Sequence, residues 1–224
     1  MLPAPNPVKE FALRYKLLIF ESLKELEANF DTAASDTIPI GLVAAYGRII
    51  KTNLLNRFNT QIYNIHPSLL PKYRGPSPLQ FQLIDNIPDT GVSLIQMDEQ
   101  VDHGPIIAQI KCPISTQDTS VTLGEKLFLQ GAGLFIDFYQ NPEKYSPIPQ
   151  DHTQATFTRL LTKEDGFVEF ASFQKDIALK DEKLFSKFKA FYPWPGVWTK
   201  NPQGKRIKLI EIYPKVRTRL EGQN

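Results

Sequence analysis

The chain of 224 residues has little cysteine, histidine, tryptophan or methionine: one Cys, three His, two Trp and two Met. A single cysteine, Cys112, excludes an intramolecular disulfide and fits a reducing compartment. Its neighbours Ile110, Lys111, Pro113 and Ile114 mark it as a small strand residue rather than a nucleophile. The histidines, His66, His103 and His152, share no metal-ligand spacing, so no metal site is expected. No apolar run approaches the roughly 20 residues that cross a bilayer. The start, Met1-Leu2-Pro3-Ala4-Pro5, has neither a basic nor an apolar leader region, and the expectation is a cytoplasmic protein, or one of a bacterial-type organellar matrix. Charge of one sign is also scarce, with a net +2, so overall electrostatics do not announce a nucleic-acid binder. Positive charge is instead concentrated late: Lys200, Lys205, Arg206, Lys208, Lys215, Arg217 and Arg219 stand against Glu211 alone. That stretch reads equally as a phosphate-backbone contact or as a solvated strand face with a frayed tail.

What is present suits a folded globular protein. Hydrophobic residues make up 42% of the chain, enough for a core and a smaller appendage. Helical spacing at Val8–Tyr15 precedes a short buried strand at Lys16–Phe20, and Glu21–Phe30 returns to helix. The nearly continuous apolar run from Ile38 to Gly47 reads as a strand covered on both faces. Next come a helix over Ile49–Arg57, a strand over Thr60–His66, a helix over Ser77–Ile84 after Pro76, and strands over Gly91–Met97 and Pro105–Ile110. A long helix over Val121–Tyr139 has Thr122 and Glu125 in capping-box register. Strands alternating with helices imply an α/β, mostly parallel sheet, with a hairpin allowed between the last two strands. The proline-rich, polar run Tyr145–His152 has the composition of a linker. A second unit follows, with Trp194 between two prolines as its expected packing anchor. No internal repeat is visible.

Three polar residues form the candidate active site: Asn64, His66 and Asp102. At the end of a strand, a spacing of two puts the Asn64 amide and the His66 imidazole on one face. Such a donor pair suits a developing oxyanion. Taken singly, each fits a structural role: Asn64 a turn former, His66 a surface residue beside Pro67, Asp102 the opening of an Asp-His-Gly turn. Convergence makes the case, because Tyr46-Gly47, Asn64/His66 and Asp102 all fall at or just beyond strand ends, where α/β sheets collect ligands.

These residues also carry a resemblance. The runs Asn64-Ile65-His66-Pro67-Ser68-Leu69-Leu70-Pro71-Lys72-Tyr73-Arg74-Gly75, Thr90-Gly91-Val92 and Gln96-Met97-Asp98 to Gly104 resemble the folate-dependent formyltransferases. Lys72–Gly75, Thr162-Lys163-Glu164-Asp165-Gly166 and Pro193-Trp194-Pro195-Gly196 leading to Gly204-Lys205-Arg206 resemble the branch acting on methionyl-tRNA. The likeness runs from Pro7-Val8-Lys9 to about Ile212.

That resemblance implies a Rossmann-like formyltransferase sheet over 1–144, a linker over 145–160 and a partial, OB-like β-barrel tRNA-binding domain over 161–224. It implies 10-formyltetrahydrofolate as co-substrate, no metal, the α-amino group of methionyl-initiator tRNA as acceptor, a role in translation initiation, no membrane partner and a monomer at full length. Ser68, Leu69, Leu70, Pro71, Tyr46 and Gly47 become the folate-contacting residues. Lys72 and Arg74 meet a phosphate or the folate glutamate tail, or form a solvated loop. The nucleophile is the acceptor amine, so no Ser, Cys or Lys is needed. Asn64 and His66 act as oxyanion donors, each worth about 2.7–4 kcal/mol in comparable sites. Asp102 favours protonated His66 and helps move a proton, a contribution of about 10²- to 10⁴-fold. Against the family pattern the chain opens without the usual first βαβ segment and ends among the first barrel strands, so a shortened unit is expected. Three alternatives stay open: a formyltetrahydrofolate hydrolase, a sugar-nucleotide formyltransferase sharing the same three residues, and a non-catalytic remnant binding RNA or a partner.

Overall fold

A computed structural model of the chain describes residues 6–30, 39–179, 181–211 and 217–220. Helix α1 (Pro7–Arg14) starts at Asn6, whose side chain accepts from the Val8 N–H, and α2 (Leu23–Ala28) starts at Ser22, which caps Glu25. The chain then reads β1 (Gly41–Ala44), α3 (Thr52–Arg57), β2 (Ile62–His66), α4 (Pro78–Ile84), β3 (Asp89–Gln96), β4 (Ile106–Pro113) and α5 (Ser120–Gln140). Three 3₁₀ turns follow, at Pro142–Lys144, His152–Gln154 and Lys163–Gly166. Helices α6 (Phe170–Leu179) and α7 (Glu182–Phe191) lead into β5 (Val197–Lys200), β6 (Arg206–Glu211) and β7 (Arg217–Leu220).

The first four strands form one sheet in the order β1-β2-β3-β4. The expectation of a mostly parallel sheet is corrected: only β1–β2 is parallel, while β2–β3 and β3–β4 are antiparallel. Connection length explains the β3–β4 pairing. The loop from Met97 to Pro105 is too short for a crossover, which needs a dozen residues or more, so β3 and β4 form a hairpin. Between β2 and β3, α4 has seven residues, about 10 Å of helix, and the chain returns from the same end of the sheet at which β2 finished. The continuous apolar runs report burial on two faces, not strand direction: β3 is buried from Thr90 to Ile95 although both its neighbours are antiparallel.

Two strand expectations also change. Lys16–Phe20 is not a strand: Lys16 takes a positive φ of 54°, Leu17 N–H closes the end of α1 on Ala12, and Leu17 and Leu18 are exposed. In β1, Leu42 is exposed, as suits the outermost strand of the described sheet.

One face of the sheet is covered by α5, a 21-residue helix about 31 Å long. Its cap lies one turn earlier than expected: Thr119 is the N-cap and pairs reciprocally with Thr122. Leu123, Leu127 and Leu134 project from one stripe into a core with Tyr63, Ile65, Val92, Leu94 and Ile107. Gly131 allows the close approach, since a Cβ there would lie 2.3 Å from Ile65 Cγ2. The last turn of α7, at Ala190 and Phe191, joins this core.

The remaining strands form a second sheet, the antiparallel meander β5-β6-β7, with Leu209 and Val197 packed on Phe173, Leu184 and Phe188. Trp194 is not the anchor: it is exposed in the turn at Tyr192–Pro195. Trp198 fills that role. Its indole N–H donates to the Lys163 carbonyl at 3.0 Å, Phe167 packs against it, and the Arg206 guanidinium lies 4.0 Å from its ring centre. Lys215 lies outside the described residues.

Candidate active site

Strand alternation separates the core side of β2 from the site. Tyr63 and Ile65 face α5, where Tyr63 meets Phe135 and Phe138, so Asn64 and His66 project from the opposite face. Two loops cover that face. One is the continuation of β2 through Tyr73–Gly75. The other is the β3–β4 hairpin loop carrying Asp102, whose φ of 50° lies in the left-handed region that Asp and Asn tolerate better than most residues. Two residues on, Gly104 sits so tightly that a Cβ would fall 1.9 Å from the Gln96 carbonyl oxygen.

All three expected residues meet. The Asn64 amide donates to Asp102 Oδ1 at 3.2 Å, and His66 Nδ1 lies 3.4 Å from the same oxygen. Asp102 Oδ2 accepts the Gly75 N–H at 2.8 Å. On its far side, His66 Nε2 lies 3.0 Å from the Tyr73 carbonyl oxygen. A carbonyl only accepts, so the Nε2 position carries a proton and Nδ1, beside the carboxylate, is where a second proton arrives. His66 is 4% exposed, and burial pushes its pKa below the ordinary 6.5; Asp102 and the Tyr73 carbonyl pull it up, and the Arg74 charge pushes it down. At neutral pH the ring is therefore neutral, with a lone pair on Nδ1 and an anion ready to stabilise the imidazolium. That arrangement can accept a proton.

The segment after His66 is held from below. Ser68 Oγ donates to the Lys72 carbonyl, while Ser93 Oγ donates to the Ser68 carbonyl and accepts from the Leu70 N–H. Gln109 Nε2 donates to the Leu70 carbonyl at 2.9 Å. Ser68 and Leu70 are buried and their backbone groups are engaged in these bonds, so this segment presents the half-buried Leu69 and Pro71 to a ligand. Parallel pairing sets Ala44 beside Ile65, so the exposed Tyr46 and Gly47 leave the sheet at the same end as His66. Lys72 is exposed, whereas Arg74 is 3% exposed and points inward, in neither of the roles expected for it.

Sequence reasoning missed the residues that hold Arg74. Its Nη2 donates to Gln150 Oε1 at 2.6 Å and to His152 Nδ1 at 2.9 Å. His152 stacks on His103 with ring centres 4.0 Å apart, and His103 Nδ1 lies 2.6 Å from Asp98 Oδ2. These partners come from a stretch whose prolines mask any site signal. Ser93 and Gln109 did leave one: each is a polar residue flanked on both sides by apolar ones within a strand.

A formyl transferase family model matches residues 3–137, well over half of the chain. The chain belongs to the formyl transferase family. It is 38% identical over 205 residues to the methionyl-tRNA formyltransferase of Pseudothermotoga lettingae, covering 92% of this chain and 64% of that relative, so it spans less than two thirds of that protein's length. Among solved structures, it is similar to a 4-N formyltransferase from Francisella tularensis, with a TM-score of 0.70 and 17% identity over 93% of this chain and 81% of the other. It is also similar to an N-formyltransferase from Helicobacter canadensis solved with folinic acid and dTDP-3-aminofucose, with a TM-score of 0.61 and 19% identity over 90% of this chain and 70% of the other. At those identities the two structures support the fold. Gln150 and His152 lie beyond the span that the family model matches.

Proposed function

We propose that the chain carries the site for transfer of a formyl group from 10-formyltetrahydrofolate to the α-amino group of methionyl-initiator tRNA, in translation initiation. The observation that carries this reading is the convergence of Asn64, His66 and Asp102 on one buried point. The donor set fits the co-substrate: an amide donor for a developing oxyanion, a neutral imidazole beside a carboxylate for the proton, and no protein nucleophile. 10-Formyltetrahydrofolate supplies the formyl carbon and the leaving nitrogen. Leu69 and Pro71 of the Ser68–Pro71 segment and the exposed Tyr46-Gly47 loop would hold it. Asn64 donates its amide hydrogen to the oxygen that gains charge as the amine attacks. His66 Nδ1 takes the proton that the amine sheds and, charged beside Asp102, returns it to the leaving nitrogen.

The two units divide the work. Residues 1–144 form the catalytic domain, 145–160 the connection, and 161–224 belong to an OB-like tRNA-binding domain, where the exposed Lys200 and Lys205 meet phosphates. The protein acts in the cytoplasm or an organellar matrix and is a monomer at full length. Incubation with 10-formyltetrahydrofolate and aminoacylated initiator tRNA tests this reading. Formylmethionyl-tRNA is the expected product. Formate release without tRNA, formylation of an amino sugar nucleotide instead, or salt-sensitive tRNA binding without turnover would each overturn it.

A further inference from the structure

We propose that Gln150 is a positioning residue of the site, setting the Asp102 carboxylate against His66. Gln150 is 6% exposed, and every hydrogen-bonding position of its amide is engaged. Nε2 donates to the carbonyl oxygens of Asp102 at 2.9 Å and Gly104 at 2.7 Å. Oε1 accepts from Arg74 Nε at 3.2 Å and Nη2 at 2.6 Å. A flipped amide would set its oxygen against two carbonyls and its NH₂ against a guanidinium, so the orientation is fixed. The left-handed backbone at Asp102 is thus tied on its carbonyl side by Gln150 and on its carboxylate side by Gly75 N–H.

The same stretch reaches the other side of His66. Thr156 Oγ1 accepts the Tyr73 N–H at 2.8 Å, the Thr156 carbonyl accepts the Arg74 N–H at 2.9 Å, and Thr158 N–H donates to the Arg74 carbonyl at 2.7 Å. The Tyr73 carbonyl oxygen faces His66 Nε2. Residues 150–158 therefore secure both partners of the imidazole, one at each nitrogen. Gln150 is the member of this stretch that links the two loops, since it binds Arg74 beside Tyr73 and Asp102 across from it.

The kinetic arm of the test rests on the formyl-transfer reading; the spectroscopic arm does not. Gln150→Glu keeps the shape and an acceptor for Arg74 but turns an oxygen toward the two carbonyls. Gln150→Met keeps the length without any polar atom and serves if the first variant fails to fold. In either folded variant, kcat for formylmethionyl-tRNA is expected to fall about 10- to 100-fold, the scale of a misplacement near 1 Å, with KM for both substrates within about twofold. In histidine labelled with ¹⁵N, the His66 Nδ1 and Nε2 shifts are expected to move, and in the wild-type protein the Gln150 side-chain amide hydrogens are expected to exchange slowly. Wild-type kcat together with unchanged His66 shifts would overturn the proposal, as would a Gln150 amide exchanging at the rate of free glutamine. A wild-type protein that forms no formylmethionyl-tRNA would overturn the assigned reaction instead, and the His66 shifts would still decide the role of Gln150.

Discussion

Replacing Asp102 by Asn removes the negative charge that, among the described residues, touches His66, while keeping a residue the loop backbone accepts. Asn tolerates the left-handed backbone that Asp102 adopts, and its single oxygen can keep either the Gly75 N–H or the Asn64 amide. The loss of the charge beside His66 is then the largest effect. A carboxylate and an imidazolium at 3.4 Å interact by about 5 kcal/mol at an effective dielectric constant of about 20. General acid–base catalysis of about 10²- to 10⁴-fold corresponds to about 2.7–5.4 kcal/mol of barrier, so the charge is large enough to supply most of it. Asp102→Asn should lower the single-turnover rate of formyl transfer by about 10²- to 10⁴-fold. Because Asp102 raises the His66 pKa, the acidic limb of the pH–rate profile should also move further below pH 6.5. A variant that folds normally and retains a rate within about threefold of wild type would refute the role given to the pair.

Stability should report the same histidine. His66 has a folded pKa below its unfolded value, so the unfolded chain binds more protons between the two, and stability is lost as pH falls below 6.5 towards the folded pKa. Urea denaturation at about pH 7.5 and about pH 5.5 should show the lower pH to be less stable, with the gap narrowed in His66→Gln. The two glycines of the long helix should behave oppositely. Gly131→Ala is expected to cost about 1–3 kcal/mol, because its Cβ meets Ile65 and Val92 at 2.3 and 3.0 Å. Gly133→Ala, with nothing within 4 Å, should stabilise by up to about 1 kcal/mol, and thermal unfolding of both variants checks the pair.

Much of the scaffold was legible because period and spacing carry it. The two-residue step from Asn64 to His66 put both on one face, and the long amphipathic run gave α5 within a residue or two at either end. Strand direction was not legible, since burial makes a central antiparallel strand such as β3 look as apolar as a parallel one. Lys16–Phe20 failed for a related reason: a short run with four apolar residues becomes a strand only if a neighbour pairs with it. Trp194 and Trp198 show how local composition misleads, because flanking prolines suggested rigidity at Trp194 while the packing fell to the tryptophan that enters β5. The inward turn of Arg74 was invisible because its partners, Gln150 and His152, are more than 70 positions away along the chain.

The backbone at Asp102 has a consequence for how such a protein can drift. A single nucleotide change turns an Asp codon into Asn or Gly, the two residues that settle most readily at a positive φ. The substitutions most accessible to mutation at this position are thus among those the loop accepts with least strain, and each removes the carboxylate. Chemistry can be lost here without a matching penalty in folding. Abundance or thermal stability of a natural variant would then say nothing about turnover, and identity at position 102 would be the first thing to inspect.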